Sequence, residues 1–393
     1  MLWGGRRSGV SRLKVLFLAT RDWYHPATTG GDMTMWENAR YLASAGHDVT
    51  FVAATFPGAA KREVIDGIHV VRMGGIHTLW LRTFLFYVLR GGRTYDVVVA
   101  EGFGGSRIPR LAPLYVRQPM ITEWHQIHRQ LFAAQYPRLL NGPLNLLERA
   151  TAWVHRNTRV RAGTEEWKQA FPQIGFKPDN VFLVPVSIRD DWFAAQNGSH
   201  TTEPTILWLG KLRRYKCPHH LVEALPAVIR QIPAVRLVIA GRHDDAGYEA
   251  ELRALVDRLG LSDHVSFRFD LSEADKRLLI RESRLVALTS SVEGFGIVVL
   301  EANACGVPVV ASSGVPEGAV RDGFNGLRYP FGDTAALGDA LVRLLQDTEL
   351  YGRLSQNALA NVQRFRWSRV GAEFEQVVVE AAGGPRPDRG AQN

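Results

Sequence analysis

Two cysteines in 393 residues, Cys217 and Cys305, are too few for a disulfide framework and too far apart for a metal or redox spacing. A reducing compartment is the simplest home for such a chain, so a cytoplasmic location is expected. No apolar run reaches the roughly 18 residues that span a bilayer. Arg6, Arg7 and Arg12 precede Val15-Leu16-Phe17-Leu18-Ala19 as in a signal peptide, but that apolar run is too short and a glycine turn and a helix follow it. RNA-binding, zinc-finger and basic-zipper patterns are missing and the basic residues are scattered. The formal net charge of +8 therefore suits an anionic ligand or a membrane surface better than nucleic acid. A dehydrogenase would carry G-x-G-x-x-G after its first strand, where Ala27 to Asp32 does not match. Glu101-Gly102-Phe103-Gly104-Gly105-Ser106 is only a partial match, behind a later strand.

What is present is an ordinary globular composition, 46% hydrophobic and 22% charged, in a chain longer than one core normally supports. Short apolar runs at Val15–Ala19, Val49–Ala53, His69–Met73, Asp96–Ala100, Met120–His125, Val160–Gly163 and Val181–Val186 read as strands. Helices fill the gaps, the clearest being Asp32–Ala45 and Thr164–Phe171, with Asp32 and Thr164 as N-caps. Such alternation implies a doubly wound parallel sheet. The polar stretch 195–204 is the expected linker between a first domain, 1–194, and a second, 205–366, that repeats the pattern. The tail from Leu337 to Glu380 reads as helical, and 381–393 as disordered.

The richest stretch is Ser290 to Val310, SSVEGFGIVVLEANACGVPVV. A buried strand, Leu285 to Thr289, leads into the turn Gly294-Phe295-Gly296, then a helix from Ile297 to Ala304 and a second strand, Val307 to Ala311. Gly306 ends the helix and Pro308 prevents its continuation. Strand, glycine turn and helix leave backbone N–H groups at a helix N-terminus, which binds anions. Glu293 stands on the lip of this turn and Glu301 inside the helix. Carboxylates repel an anionic ligand but accept hydroxyl protons, at about 1.5–3 kcal/mol per charge-assisted bond. They suit the ribose and hexose of a ligand whose phosphates meet cations elsewhere. Gly210-Lys211-Leu212-Arg213-Arg214-Tyr215-Lys216, after the strand Ile206–Leu209, supplies those cations.

These residues carry a resemblance. E-x7-E at Glu293 and Glu301 with Gly294-Phe295-Gly296 between them resembles the signature of the family 4 retaining glycosyltransferases. Gly210 to Lys216 is similar to that family's diphosphate motif, and Gly30-Gly31 to its N-terminal loop; the likeness runs from about Lys14 to Arg366. It implies the GT-B fold, two Rossmann-like doubly wound domains facing a central cleft, with the last helix, Trp367 to Glu380, crossing back onto the first. It implies a hexose-type sugar moved from a nucleoside diphosphate sugar to an acceptor that is a sugar, a lipid-linked intermediate or a small molecule. Donor contacts would come from Gly30, Gly31, Lys211, Lys216, Glu293, Gly294, Phe295, Gly296, Ile297 and Glu301, with Glu293, Lys216 and His125 at the chemistry. His128 is second choice for His125, and Glu317 either contacts the donor or starts a helix. No protein nucleophile stands out, so front-face substitution is favoured. The metal-binding Asp-any-Asp triplet of the other glycosyltransferase fold is absent, so no cofactor or divalent metal is expected.

Three departures stand out. Lys211 replaces the usual Arg, keeping charge but losing the planar fork. Val186-Ser187-Ile188-Arg189 replaces Asn-Gly-Val-Asp, and Arg268-Phe269-Asp270 stands where a glycine is expected near the base pocket. Each site residue also has a plain structural reading: Gly30-Gly31 as a turn, His125 as a satisfied or a surface residue, the lysines as solvated, the glutamates as dipole complements. A sugar-nucleotide epimerase or hydrolase on the same fold and a non-catalytic sugar-binding protein are the rival functions.

Leu79 to Arg90, LWLRTFLFYVLR, is too short to span a bilayer but long enough for three helical turns. Leu81, Phe84, Leu85, Val88 and Leu89 are expected to dock on the first domain's sheet, leaving Arg82, Phe86 and Arg90 outward beside Trp80, Thr83 and Tyr87. That outer face either makes peripheral contact with the inner face of the membrane or is merely solvated.

Overall fold

The computed structural model describes residues 12–89, 94–103, 109–193 and 203–383. The chain divides into two compact units. The first takes Met1–Ile127, Gly142–Ser187 and Trp367–Asn393; the second takes His128–Asn141 and Ile188–Arg366. The change of unit thus comes at Ser187, ahead of the expected linker, of which residues 195–202 lie outside the described residues. Residues 1–11 and 384–393, including most of the tail expected to be disordered, also lie outside them.

The first unit is built on eight strands: β1 (Lys14–Leu18), β2 (Asp48–Ala53), β3 (Arg62–Ile65), β4 (Ile68–Arg72), β5 (Val97–Glu101), β6 (Met120–Glu123), β7 (Arg159–Ala162) and β8 (Val181–Leu183). They lie in the order β3-β4-β2-β1-β5-β6-β7-β8, parallel throughout except for β3 against β4. Strand β3 escaped the sequence reading because its side chains are mostly exposed. Its turn was legible: Asp66 and Gly67 take positive φ, 51° and 79°, as a two-residue hairpin turn requires. The first helix, α1, runs Gly30–Ser44, two residues earlier than expected. Its N-cap is Thr29, not Asp32. Asp32 sits in the first turn, where its carboxylate accepts the Thr29 N–H at 2.8 Å and hydroxyl at 2.7 Å, a placement the dipole also favours. Thr164 does cap its helix, accepting the Trp167 N–H at 3.3 Å.

The helix Trp367–Ala381 closes this unit. Val370, Phe374 and Val378 recur every four residues and are buried. Gly371 lets it approach α1, since a Cβ there would lie 2.1 Å from the Tyr41 ring. The Trp367 indole N–H donates to the Glu37 carbonyl at 3.0 Å.

The second unit carries β9 (Thr205–Lys211), β10 (Arg236–Arg242), β11 (Val265–Phe269), β12 (Leu285–Leu288), β13 (Val309–Ser312) and β14 (Gly326–Tyr329). All are parallel, in the order β11-β10-β9-β12-β13-β14. The four residues of β12 and of β13 are fully buried, as continuous apolar runs flanked by helices should be. Each sheet has one place where the strand order reverses, between β1 and β5 and between β9 and β12, and open α/β sheets bind ligands beyond the strand ends there.

Candidate active site

In the second unit, the reversal point gathers three loops. Lys211 ends β9, and Arg214–Lys216 form a short 3-10 turn just beyond it. Ser290 to Gly296 follows β12, and Ser313-Gly314-Val315 follows β13. Backbone bonds stitch them together: Ser291 N–H to the Tyr215 carbonyl at 2.8 Å and Glu293 N–H to the Gly314 carbonyl at 2.9 Å. The Thr289 hydroxyl donates to the Lys216 carbonyl at 2.8 Å. Gly314 is obligatory, since a Cβ would stand 2.3 Å from the Ser290 oxygen. The helix Ile297–Ala304 starts where the sequence placed it, from Gly296 at φ 89°. Gly306, at φ 71°, lets the Val307 N–H return to the Ala302 carbonyl at 2.9 Å, closing the helix.

Two ion pairs organise the side chains. Lys216 Nζ pairs with Glu293 Oε1, which also accepts the Ser290 hydroxyl at 2.7 Å. Burial opposes the lysine's charge, but Glu293, helped by Tyr215, outweighs it and raises its pKa. Lys276 Nζ meets Glu301 Oε1 at 2.7 Å and Glu273 at 3.1 Å. Its pKa is likewise raised, burial again opposing and Glu301 prevailing. Glu293 and Glu301 are both buried, so neither is a solvated dipole complement. Arg213 pairs with Asp244 and Arg214 with Glu251.

Some expectations need correction. The Phe295 ring is buried against Phe365, centroids 5.4 Å apart, so only its backbone faces the turn. Glu317 is exposed in a turn and starts no helix. Asp270 itself takes the left-handed conformation, φ 54°, which Asp tolerates better than most residues. Its N–H donates to the Gly241 carbonyl at 2.7 Å. Ser290 and Lys276 were missed. The Ser290-x-x-Glu293 spacing was a signal; nothing in the sequence tied Lys276 to Glu301.

In the first unit, Gly31 and His125 come together. A Cβ on Gly31 would lie 2.5 Å from His125 Cδ2, so the half-buried imidazole occupies the space the glycine vacates. Beneath it, β6 is anchored by Glu123, which accepts from Arg161 at 2.9 Å and from Asn38 at 3.4 Å. His128 instead belongs to the second unit, stacked on Phe132 at 5.7 Å. At the ends of β1 and β5 the Glu101 carboxylate accepts the Thr20 N–H at 3.0 Å and also its hydroxyl. Arg110 donates to the same hydroxyl oxygen at 2.9 Å. Burial raises the Asp32 pKa, with Glu101 adding to it and Arg21, 3.3 Å away, opposing.

The helix α2 (Leu79–Leu89) is turned opposite to expectation. Leu79, Thr83 and Tyr87 are its buried residues, while Trp80, Leu81, Phe84, Leu85, Val88 and Leu89 are exposed, Leu89 at 74%. The reason is polar. The Tyr87 hydroxyl pairs with Gln118 and accepts the Arg117 N–H at 3.0 Å, bonds that an inward leucine face would forfeit. Arg90 lies outside the described residues.

Two parallel α/β units, each with cationic, carboxylate or histidine groups at its strand reversal, define the class: a GT-B type glycosyltransferase. Residues 29–187 match the family described as glycosyl transferase 4-like domain, and residues 190–360 the one described as glycosyl transferases group 1. A D-inositol 3-phosphate glycosyltransferase of Salinispora tropica is 33% identical, over 94% of this chain and 85% of its own. A phosphatidyl-myo-inositol mannosyltransferase of Mycobacterium leprae is 37% identical over 44% of this chain and 46% of its own. Among solved structures, HepE of Anabaena in complex with UDP and glucose superposes with a TM-score of 0.73 at 19% identity, covering 94% of this chain and 100% of that one. The chain belongs to the group 1 glycosyltransferases and is an enzyme of that family.

Proposed function

We propose that this enzyme moves a hexose-type sugar from a nucleoside diphosphate sugar to a hydroxyl-bearing acceptor, with retention at the anomeric carbon and without a divalent metal. The observation that carries the reading is the Lys216–Glu293–Ser290 constellation at the reversal of the second sheet. In it a cation for the departing diphosphate lies beside a carboxylate able to accept sugar hydroxyls. Glu301, held by Lys276, takes the ribose hydroxyls, and His125, seated against Gly31, takes the transferred sugar. The acceptor oxygen bonds to the anomeric carbon as the bond to the diphosphate breaks, and the acceptor's proton passes to a diphosphate oxygen. The protein contributes positioning and stabilisation of leaving-group charge. The names of the sequence relatives support a polyol acceptor, free or lipid-borne.

Release of nucleoside diphosphate with and without acceptor separates transfer from hydrolysis and epimerisation. Proton coupling at the new anomeric centre reads the stereochemistry, and inversion overturns retention. Full activity in excess chelator is expected; loss restored by magnesium or manganese overturns the metal-free mechanism.

Among the described residues no helix is long and apolar enough to cross a membrane. The exposed face of α2, apolar with Arg82 beside it, supports peripheral contact with a bilayer instead. Co-sedimentation with anionic vesicles, weakened in Leu85→Ser, Leu89→Ser, is the expected result; equal binding by that variant retires the contact.

A further inference from the structure

The reversal of the first sheet lies under a cavity of about 320 Å³. Its floor is the ends of β1 and β5, at Leu18, Ala19, Ala100 and Glu101. One wall is α2, through Trp80, Leu81 and Phe84, and the other is formed by Leu111, Leu114 and Tyr115. The strand-end rule marks this as the unit's ligand crevice. Its chemistry is divided. At the floor sit Glu101 and Arg110, both buried and bridged by the Thr20 hydroxyl, a pair that can accept from and donate to hydroxyl groups. Above them the lining is mainly apolar, with the Thr83 and Tyr115 hydroxyls bonded to each other, and the rim residues Trp80, Leu81, Phe84, Leu111 and Leu114 are exposed to water. A wholly polar acceptor would leave that surface unmatched. An acceptor with a hydrocarbon chain behind its hydroxyls would cover it, at a gain of roughly fourfold in affinity per buried methylene.

We propose that this cavity takes the aliphatic chain of a lipid-linked acceptor, whose hydroxylated head lies against Glu101 and Arg110. The inference rests on the reading of the chain as a transferase, places its acceptor in the first unit, and narrows that acceptor from a polyol, free or lipid-borne, to a hydroxyl-headed amphiphile. The inward set of α2 serves the same end, since Thr83 and Tyr87 fix the helix with its leucines turned out, continuous with the cavity rim.

The test uses the full chain and alkyl maltosides below their micellar concentrations, with calorimetry. Affinity is expected to rise about fourfold per methylene from hexyl to decyl chains, roughly 250-fold across the series, while maltose binds more weakly than the hexyl compound. A prenyl maltoside alongside the linear series tells a branched isoprenoid source from an acyl one; binding of either supports the cavity, and binding of neither overturns it. Ala112→Phe, which fills the cavity from a buried position on its lining, should abolish the chain-length dependence; persistence would put the chain elsewhere and overturn the assignment. Should that variant fail to fold, quenching by a chain brominated near its end, lost in Trp80→Phe, gives the same decision in otherwise native protein. Nucleoside diphosphate is titrated into the same sample. Diphosphate binding without alkyl maltoside binding overturns this inference alone, whereas absence of both removes the transferase reading with it.

Discussion

Lys216 and Glu293, 77 residues apart in the chain, share an ion pair whose carboxylate oxygen also holds the Ser290 hydroxyl at 2.7 Å. A lysine meant for a departing diphosphate is therefore already engaged, and its ammonium has to be shared between carboxylate and phosphate when donor binds. Glu293→Gln keeps the shape and removes the competing charge. Nucleoside diphosphate should then bind as tightly as before or tighter, while transfer falls at least tenfold for want of the sugar contact. Lys216→Ala should lower kcat by about 10²–10³, more than it weakens donor binding, because leaving-group charge grows in the transition state. Calorimetry with diphosphate and steady-state kinetics read both; weaker diphosphate binding by Glu293→Gln contradicts the competition. The raised lysine pKa keeps the charge in place below its ordinary value of 10.5. Donor affinity should therefore show no lysine-linked fall between pH 6 and 9.

Glu301 gives a second handle. Its replacement by Ala should weaken donor binding by about 1.5–3 kcal/mol, ten- to hundredfold, by deleting hydroxyl contacts. If those hydroxyls are the ribose's, the variant should bind ribo- and 2′,3′-dideoxynucleoside diphosphates equally, while the parent prefers the former. Lys276→Met, which leaves Glu301 without its 2.7 Å partner, should show a smaller loss in the same direction. A ribose preference that survives in Glu301→Ala would move ribose recognition to other residues.

Much of this was legible in the chain. The buried parallel strands announced themselves as short apolar runs because both their faces are covered, and Gly296 and Gly306 bounded the helix Ile297–Ala304 through a local backbone demand that only glycine meets readily. What failed were inferences about which face of an element looks inward. Helical spacing put the leucines of α2 against the sheet, but the hydroxyl of Tyr87 found partners at Arg117 and Gln118, tens of residues away, and turned the helix over. Lys276 was invisible for a similar reason: its pairing with Glu301 is created by packing of one helix on another. The exposed strand β3 carried no apolar signal beyond its Asp66-Gly67 turn.

Gly31 and His125 permit a steric test. Gly31 has no unusual φ, so Ala there brings no backbone strain, only a methyl 2.5 Å from the imidazole. Gly31→Ala should leave the thermal midpoint within a few degrees and lower kcat by pushing His125 aside. His125→Ala should lower kcat too, and the double variant should be no worse than His125→Ala alone, because the methyl then meets no ring. Additive losses would mean that Gly31 acts through its own backbone instead.

His155 is expected to make the stability of the first unit depend on acid pH. Its Nδ1 meets the Thr122 hydroxyl at 2.9 Å and its Nε2 the Arg110 carbonyl at 2.5 Å, and it is fully buried. Burial lowers its pKa from 6.5 to about 4, the bond to Arg110 opposing. The unfolded chain therefore takes up a proton near pH 6.5 that the folded chain refuses until about pH 4. Stability from this residue is complete above pH 6.5 and falls as pH drops towards 4, by at most about 3 kcal/mol. Urea unfolding followed across pH 4–8 should show that slope, and His155→Gln should flatten it while costing some stability at pH 8. Because the folded imidazole stays neutral down to about pH 4, its bond to the Arg110 carbonyl is kept, and alkyl maltoside affinity of the folded parent should stay level while its stability falls. An unchanged slope in His155→Gln would assign the acid sensitivity to other groups.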